Sequence, residues 1–358
     1  MGIAVIILSV LLVLLSVLPF VQNQHWVFRV PEFLKLQILA VQLIIFPLAF
    51  LFVSAYPWLW TIQVVQAGLI VYHMYVLMRY TKFWKKQEFK LTDKASDKIR
   101  IISCNVYQFN KGYDRFIGLI QREQPDIFLT MESNIDWERA MQVLEKDYPY
   151  HEKITLENTY GMHFYTKLNV IEVRTHYFVA DDLPSIEAEL ETRDGHRFIF
   201  FGVHPPPPSP TEEETSKERD GDLLSVAKKV RDYKMPVLVT GDFNNVAWAK
   251  TSVLFKKTSE LIDARIGRGI LATFHARYWF FRVPLDLLFH SSDIFIDRLF
   301  IYPSIGSDHF PVGCEFHIDK HSSRQEEEID HLEKGEMQEV NELIEEGKAE
   351  ESDRREEA

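Results

Sequence analysis

Val239-Thr240-Gly241-Asp242-Phe243-Asn244, answered further along the chain by Gly306-Ser307-Asp308-His309-Phe310-Pro311, decides how this sequence is read. Each segment is a β-forming run that stops at a polar cluster, so its carboxylate, amide or imidazole falls where a strand ends and a site can open. The same grammar recurs upstream. Ile101-Ile102-Ser103-Cys104 leads into Asn105, Pro125-Asp126-Ile127-Phe128-Leu129-Thr130-Met131 into Glu132, and Phe200-Phe201-Gly202-Val203 into His204. A carboxylate at the rim of an apolar sheet is destabilised by desolvation unless it is paired, hydrogen-bonded or bound to a cation. Taken singly, Asn105 and Asn244 read as turn residues, Glu132 as a helix cap, His204 as a satisfied histidine and Asp308 as a loop residue. Taken as a set they favour a hard cation, since Glu and Asp oxygens suit Mg²⁺ or Mn²⁺. That is equipment for cutting a phosphate ester with a metal ion.

Around these motifs, residues 98–318 form one α/β domain, within the ordinary size range for a single domain. Short β-branched or aromatic runs predict strands over 99–106, 127–132, 161–165, 171–173, 198–203, 237–240, 285–289, 299–301 and 312–316. Polar periodic stretches predict helices over 115–122, 137–147, 211–234 and 248–258. Cys104 and Cys314 are the only cysteines, too few for a disulfide framework, and read as buried reduced thiols.

Upstream lies a different kind of chain. Residues 3–21, 36–55 and 57–78 are uncharged apolar runs of nineteen, twenty and twenty-two residues. At about 1.5 Å per residue each can cross a hydrocarbon core about 30 Å thick, so residues 1–88 are predicted to hold three transmembrane helices. The first run lacks the basic n-region and the small-residue cleavage site of a signal peptide. Arg29 and Lys35 lie between spans one and two, and Arg79, Lys82, Lys85, Lys86 and Lys90 follow span three. With three spans these loops share a side, and the turn near Tyr56 is uncharged. The positive-inside rule then predicts a multi-pass protein of the cell (inner) membrane with its downstream domain in the cytoplasm. Two or four spans would reverse that orientation. Trp58, Trp60, Phe83 and Trp84 sit where interfacial aromatics belong.

The segment 319–358 carries sixteen acidic residues against six basic ones, a net of minus ten out of the whole chain's minus twelve. It reads as a solvated, partly disordered tail. Ile329, Leu332, Val340 and Ile344 fall at amphipathic spacing, but Gly335 and Gly347 weaken a helix there. No protein partner for this tail is legible.

With these residues in view, 99–316 resembles the endonuclease/exonuclease/phosphatase superfamily, the DNase I-like Mg²⁺-dependent phosphodiesterases and phosphomonoesterases. It looks closest to bacterial membrane-anchored members, in which the first catalytic histidine precedes a proline-rich run like Pro205-Pro206-Pro207-Pro208. The resemblance implies a four-layer α/β/β/α sandwich. It implies Glu132 as principal metal ligand, with Asn105 and Asp308 beside the metal. Asn105, His204 and Asn244 would bind the phosphate, with His204 also assisting the leaving group. Asp242 would handle a proton or orient the nucleophile, and His309 would stand at the attack site. An aspartate that orients this last histidine is also implied, for which Asp286 in Pro284-Leu285-Asp286-Leu287 fits better than Asp297. One departure is Tyr107, where some nucleases carry an acidic residue.

The implied activity is membrane-anchored, Mg²⁺-dependent hydrolysis of a phosphate ester. A nuclease should present a basic phosphate-tracking surface, whereas this domain is near neutral, so nucleic acid is not the favoured substrate. A bilayer-surface phosphate ester is favoured by location. A silent binding or scaffolding module is the remaining alternative, and it predicts missing site residues, whereas all of those named are present.

Overall fold

The computed structural model describes residues 2–84, 89–322 and 324–351, so Lys85 and Lys86 of the basic cluster and 352–358 of the tail lie outside the described residues. The N-terminal region contains α1 (Gly2–Val17), α2 (Trp26–Phe33), α3 (Lys35–Ala49) and α4 (Leu59–Met78). Three helical stretches, Gly2–Phe20, Lys35–Phe52 and Leu59–Met78, are long and apolar enough to cross a membrane. Ile7, Ile44, Val64 and Val71 point outward, as lipid-facing side chains do. Three of the inward-facing polar groups satisfy one another: Gln42 Nε2 donates to Ser16 Oγ at 3.0 Å, and Gln42 Oε1 meets His73 Nδ1 at 3.1 Å. The short α2, between the first two of these stretches, is absent from the sequence reading. It is held by the downstream domain, where Trp26 N donates to Glu214 O (3.0 Å) and Trp248 Nε1 to Glu32 O (2.7 Å).

That domain runs β1 (Ile99–Asn105), α5 (Tyr113–Glu123), β2 (Ile127–Met131), α6 (Ile135–Met141), β3 (Tyr150–Ile154), β4 (Met162–Thr166), β5 (Asn169–Tyr177), β6 (Pro184–Glu191), β7 (Arg197–Val203), α7 (Lys217–Arg231), β8 (Val237–Asp242), α8 (Lys250–Ser259), β9 (Ile262–Asp263), β10 (Asp286–His290), β11 (Ile294–Ile301) and β12 (Val312–Ile318), followed by α9 (Glu336–Ala349). Two six-stranded sheets form, ordered β11-β12-β1-β2-β4-β3 and β5-β6-β7-β8-β10-β9. Each has one parallel pair, β1 with β2 and β7 with β8, among antiparallel neighbours. Side chains alternate between faces along a strand. Ile101, Leu129, Phe200 and Leu238 therefore enter the core between the sheets. Ile102, Phe128 and Cys104 pack outward under Phe116 and Trp137 of α5 and α6. Ile199, Phe201 and Val239 do the same under α7. The result is a four-layer α/β/β/α sandwich, and both cysteines are free and buried.

Several boundaries differ from the sequence reading for physical reasons. The stretch 211–216 is not helical, because it lies under α2, with Ser216 N donating to Gln24 O (2.8 Å). The 137–147 stretch begins earlier, where the Asn134 side chain caps Trp137 N, and ends in a 3₁₀ turn. Strand β6 places Ile186, Ala188 and Leu190 in the core. The alternate Glu187 is buried among His176, Tyr233 and Arg174, which satisfy its carboxylate.

The acidic segment, expected to be a solvated extension, carries the docked helix α9. Val340 and Ile344 pack on Leu224 of α7 and Leu254 of α8. Neither expected breaker breaks it. Gly335 caps the helix from outside at φ 95°, and Gly347 sits where α9 meets α7, so that a Cβ there would lie 2.9 Å from Gly221 Cα. Lys250, Lys256 and Lys257 of α8 pair with Glu339, Asp330 and Glu336, three of the segment's sixteen carboxylates, and so tie it to the domain.

Candidate active site

Strand polarity explains why the polar clusters meet. β1, β2, β7 and β8 all end at one rim of the sandwich, delivering Asn105, Glu132, His204 and Asp242. β10 runs antiparallel to β8 and begins at that rim, so that Asp286 is paired directly with Asp242. β12 is antiparallel to β1 and begins there too, with Val312 opposite Ser103, which places Asp308 and His309 just before it at the same edge. All the sequence-predicted site residues except Asp286 line one cavity of about 590 Å³, and Asp286 lies behind His309.

The backbone here is unusual. Tyr107, Glu132 and Asn244 hold φ of 58°, 59° and 46°, in the left-handed region that non-glycine residues seldom occupy. Gly241 is required by close approach, since a Cβ on it would fall 1.9 Å from Val203 O of the adjacent strand.

His309 Nδ1 lies 2.8 Å from Asp286 Oδ2, and its Nε2 lies 3.4 Å from Asp242 Oδ2. Burial alone would depress His309, but the carboxylates of Asp286, Asp242 and Asp308 outweigh it and lift the imidazole to about 10. Protonated, it donates at both nitrogens. His204 behaves oppositely. Burial lowers it to about 4, and its buried Nδ1 has no hydrogen-bond partner among the described residues. Asp242 is raised by burial, against the pull of His309, and its Oδ1 accepts from Asn244 N at 2.9 Å.

Asn105 joins the two carboxylates at the centre, its Nδ2 donating to Glu132 Oε1 (2.8 Å) and Asp242 Oδ2 (3.1 Å). Gln108 N donates to Glu132 Oε2 at 3.1 Å. Even so, burial pushes Glu132 up to about 7. A carboxylate held at the cavity wall with its charge undercompensated fits a divalent cation, and Mg²⁺ needs only one or two carboxylates besides water. Asp242, Asp286 and His309 gather ligand atoms within 4.8 Å of one another. We read this cluster as a hydrogen-bonded Asp–His arrangement, because Nδ1 is already committed to Asp286.

Asp297, the competing candidate, lies elsewhere, 2.9 Å from His317 Nδ1 and 3.4 Å from Lys98 Nζ. Asn244 is anchored by Nδ2 donating to Pro205 O (2.9 Å), and its own carbonyl accepts from the buried Arg219 (3.1 Å). Ser307 Oγ donates to Asn105 O at 2.8 Å, locking the Ser-Asp-His turn to the end of β1. Sequence reasoning missed Gln108, Arg219 and Ser307 as supports, and also the cavity residues Val30, Phe33 and Leu34. An unbroken aromatic run between two arginines, Arg277 to Arg282, was a legible signal for a further surface beside the site.

A model described as Endonuclease/Exonuclease/phosphatase family matches residues 102–309. No curated protein matches the chain. Among solved structures, D. rerio TDP2 complexed with single strand DNA product is 15% identical, with TM-score 0.53, covering 62% of this chain and 99% of that one. The human Nocturnin catalytic domain with bound sulfate anion is 17% identical, with TM-score 0.51, covering 64% and 96%. An endonuclease/exonuclease/phosphatase from Bacteroides vulgatus is 18% identical, with TM-score 0.51, covering 63% and 100%. At these identities the structural likeness is one of fold.

Proposed function

The chain belongs to the endonuclease/exonuclease/phosphatase family, metal-dependent hydrolases of phosphate esters, and we propose that it is a membrane-anchored, Mg²⁺-dependent phosphoesterase. The observation that carries this reading is the convergence of Glu132, Asp242 and His309 on one cavity, with Asp286 bonded to His309 from behind. Glu132, with Asn105 and Asp308 beside it, would hold Mg²⁺ or Mn²⁺. Such an ion supplies charge stabilisation at a phosphoryl oxygen.

The chain's own residues divide the rest of the chemistry. With its imidazole lifted to about 10, His309 is a cation at neutral pH and donates from Nε2 to a phosphoryl oxygen instead of accepting a proton. Asp242, beside that nitrogen, accepts the proton of the attacking water. Neutral His204 and Asn244 hold the remaining oxygens, and Asn105 keeps Glu132 and Asp242 in register. Asp286 positions His309 and stabilises its protonated form.

Purified full-length chain with Mg²⁺ is expected to hydrolyse bis-p-nitrophenyl phosphate and to leave supercoiled plasmid intact. Plasmid nicking without turnover of the small ester would favour a nuclease, and no turnover of any phosphate ester with Mg²⁺ or Mn²⁺ would sink the proposal. We also propose the cytoplasmic orientation of a multi-pass inner-membrane protein. The helix α2, the start of α3 and the segment just after α4 adjoin the catalytic domain and carry Arg29, Lys35, Arg79 and Lys82. Green fluorescent protein fused to the C-terminus should then fluoresce, while a dark fusion whose alkaline phosphatase counterpart is active would place the domain outside.

A further inference from the structure

The cavity is walled by more than the catalytic domain. Val30 and Phe33 of α2, with the adjoining Leu34, line it together with Phe274, Phe281 and Val283. This wall continues into the membrane bundle: one apolar cluster joins Leu39 of α3 and Ile70 and Leu77 of α4 to Val246, Trp248 and Leu285, with Phe33 and Phe274 packed against it. The junction is fixed by hydrogen bonds, among them Trp248 Nε1 to Glu32 O (2.7 Å) and Gln37 Nε2 to Arg282 O (3.0 Å). An apolar path therefore runs from the spans to the catalytic rim.

Beside it stands Arg277-Tyr278-Trp279-Phe280-Phe281-Arg282, in which Trp279 is 79% and Phe280 61% exposed. Aromatic rings left in water between two arginines are the composition of a bilayer interface. Phe281 of the same run lines the cavity. Among the described residues, no lysine or arginine lines the cavity. A polyanionic strand would therefore find no row of lysines and arginines to track inside it, whereas a single phosphate would meet His204 and His309.

We infer that the substrate is a phosphate ester of a membrane lipid, its phosphate at His204, Asp242 and His309 and its apolar chain along α2 and the 274–283 segment. The inference rests on the phosphoesterase reading above. A cavity of about 590 Å³ suits one small ligand, here the phosphate and the first part of a chain whose remainder stays in the bilayer. In the reaction the oxygen of water bonds to phosphorus and the ester P–O bond breaks. One water proton passes to Asp242 and is returned through solvent to the departing alkoxide, so that one water is consumed and one alcohol released.

The test uses full-length chain in phosphatidylcholine nanodiscs with Mg²⁺ and two substrates below their micellar concentrations, methyl and hexyl p-nitrophenyl phosphate. Since each buried methylene is worth roughly fourfold, burial of all five extra methylenes should raise kcat/KM on the order of a thousandfold from methyl to hexyl. In Phe33→Glu the hexyl-to-methyl ratio should collapse toward one. Partitioning into the nanodisc is common to parent and variant and cancels. Phe281→Ser, at a ring already 39% exposed, gives the same reading if the first variant fails to fold. Equal kcat/KM for the two esters, or a ratio unchanged in both variants, overturns the lipid inference while leaving the phosphoesterase standing. Turnover of neither ester overturns both.

Discussion

Glu132→Gln is expected to lower kcat/KM on phosphate esters by roughly 10³-fold or more, while the chain stays folded. The size follows from what the residue would hold: a metal ion supplies several kcal/mol of transition-state stabilisation, and each ~1.4 kcal/mol is about tenfold in rate. The fold should survive because Glu132 contributes nothing to the two cores, and a glutamine oxygen can still accept from Asn105 Nδ2, now 2.8 Å away. Removing the charge also removes a carboxylate that burial already pushes to about 7, so stability should hold or rise slightly. Mg²⁺ titrations of activity in parent and variant, with circular dichroism alongside, check this. Undiminished turnover in the variant would remove Glu132 from the metal site.

The second large effect concerns His309 and Asp286. His309→Ala removes the donor to the phosphoryl oxygen, and losses of about 10²–10³-fold in kcat are typical for such a group. Asp286→Asn keeps the shape but removes the main carboxylate that lifts His309, and its loss should be smaller, roughly tenfold to a hundredfold. Because Asp286 acts through His309, the double variant should be no slower than His309→Ala alone. Additive losses in the double variant would mean that Asp286 acts on substrate or metal by a separate route.

The legible parts of this molecule are those fixed by local chemistry. Strands buried on both faces read as unbroken apolar runs, and their polar last residues, Asn105, Glu132, His204 and Asp242, are visible as interruptions. That these interruptions meet depends on sheet order, which the chain does not spell out. The distinction between Asp286 and Asp297 is a matter of register: Asp286 is opposite Asp242 across β8 and β10, while Asp297 lies on β11 at the far edge of the other sheet. Strand β6 hides behind Pro184 and three glutamates, although Ile186, Ala188 and Leu190 alternate as a strand should. The short α2 contains Pro31 and lies between two long apolar helices, and its helix is held largely by tertiary contacts such as Trp248 to Glu32. In α9 the two glycines look like breakers until one is seen as a cap and the other as the point of contact with Gly221.

The measurement that bears most directly on the central claim is the divalent-metal dependence of bis-p-nitrophenyl phosphate hydrolysis by the full-length chain. Turnover should vanish in EDTA and return saturably with Mg²⁺ in the parent, and it should fail to return in Glu132→Gln. Turnover that persists in EDTA, or that Mg²⁺ restores equally in both, would contradict a metal-assisted phosphoesterase built on Glu132.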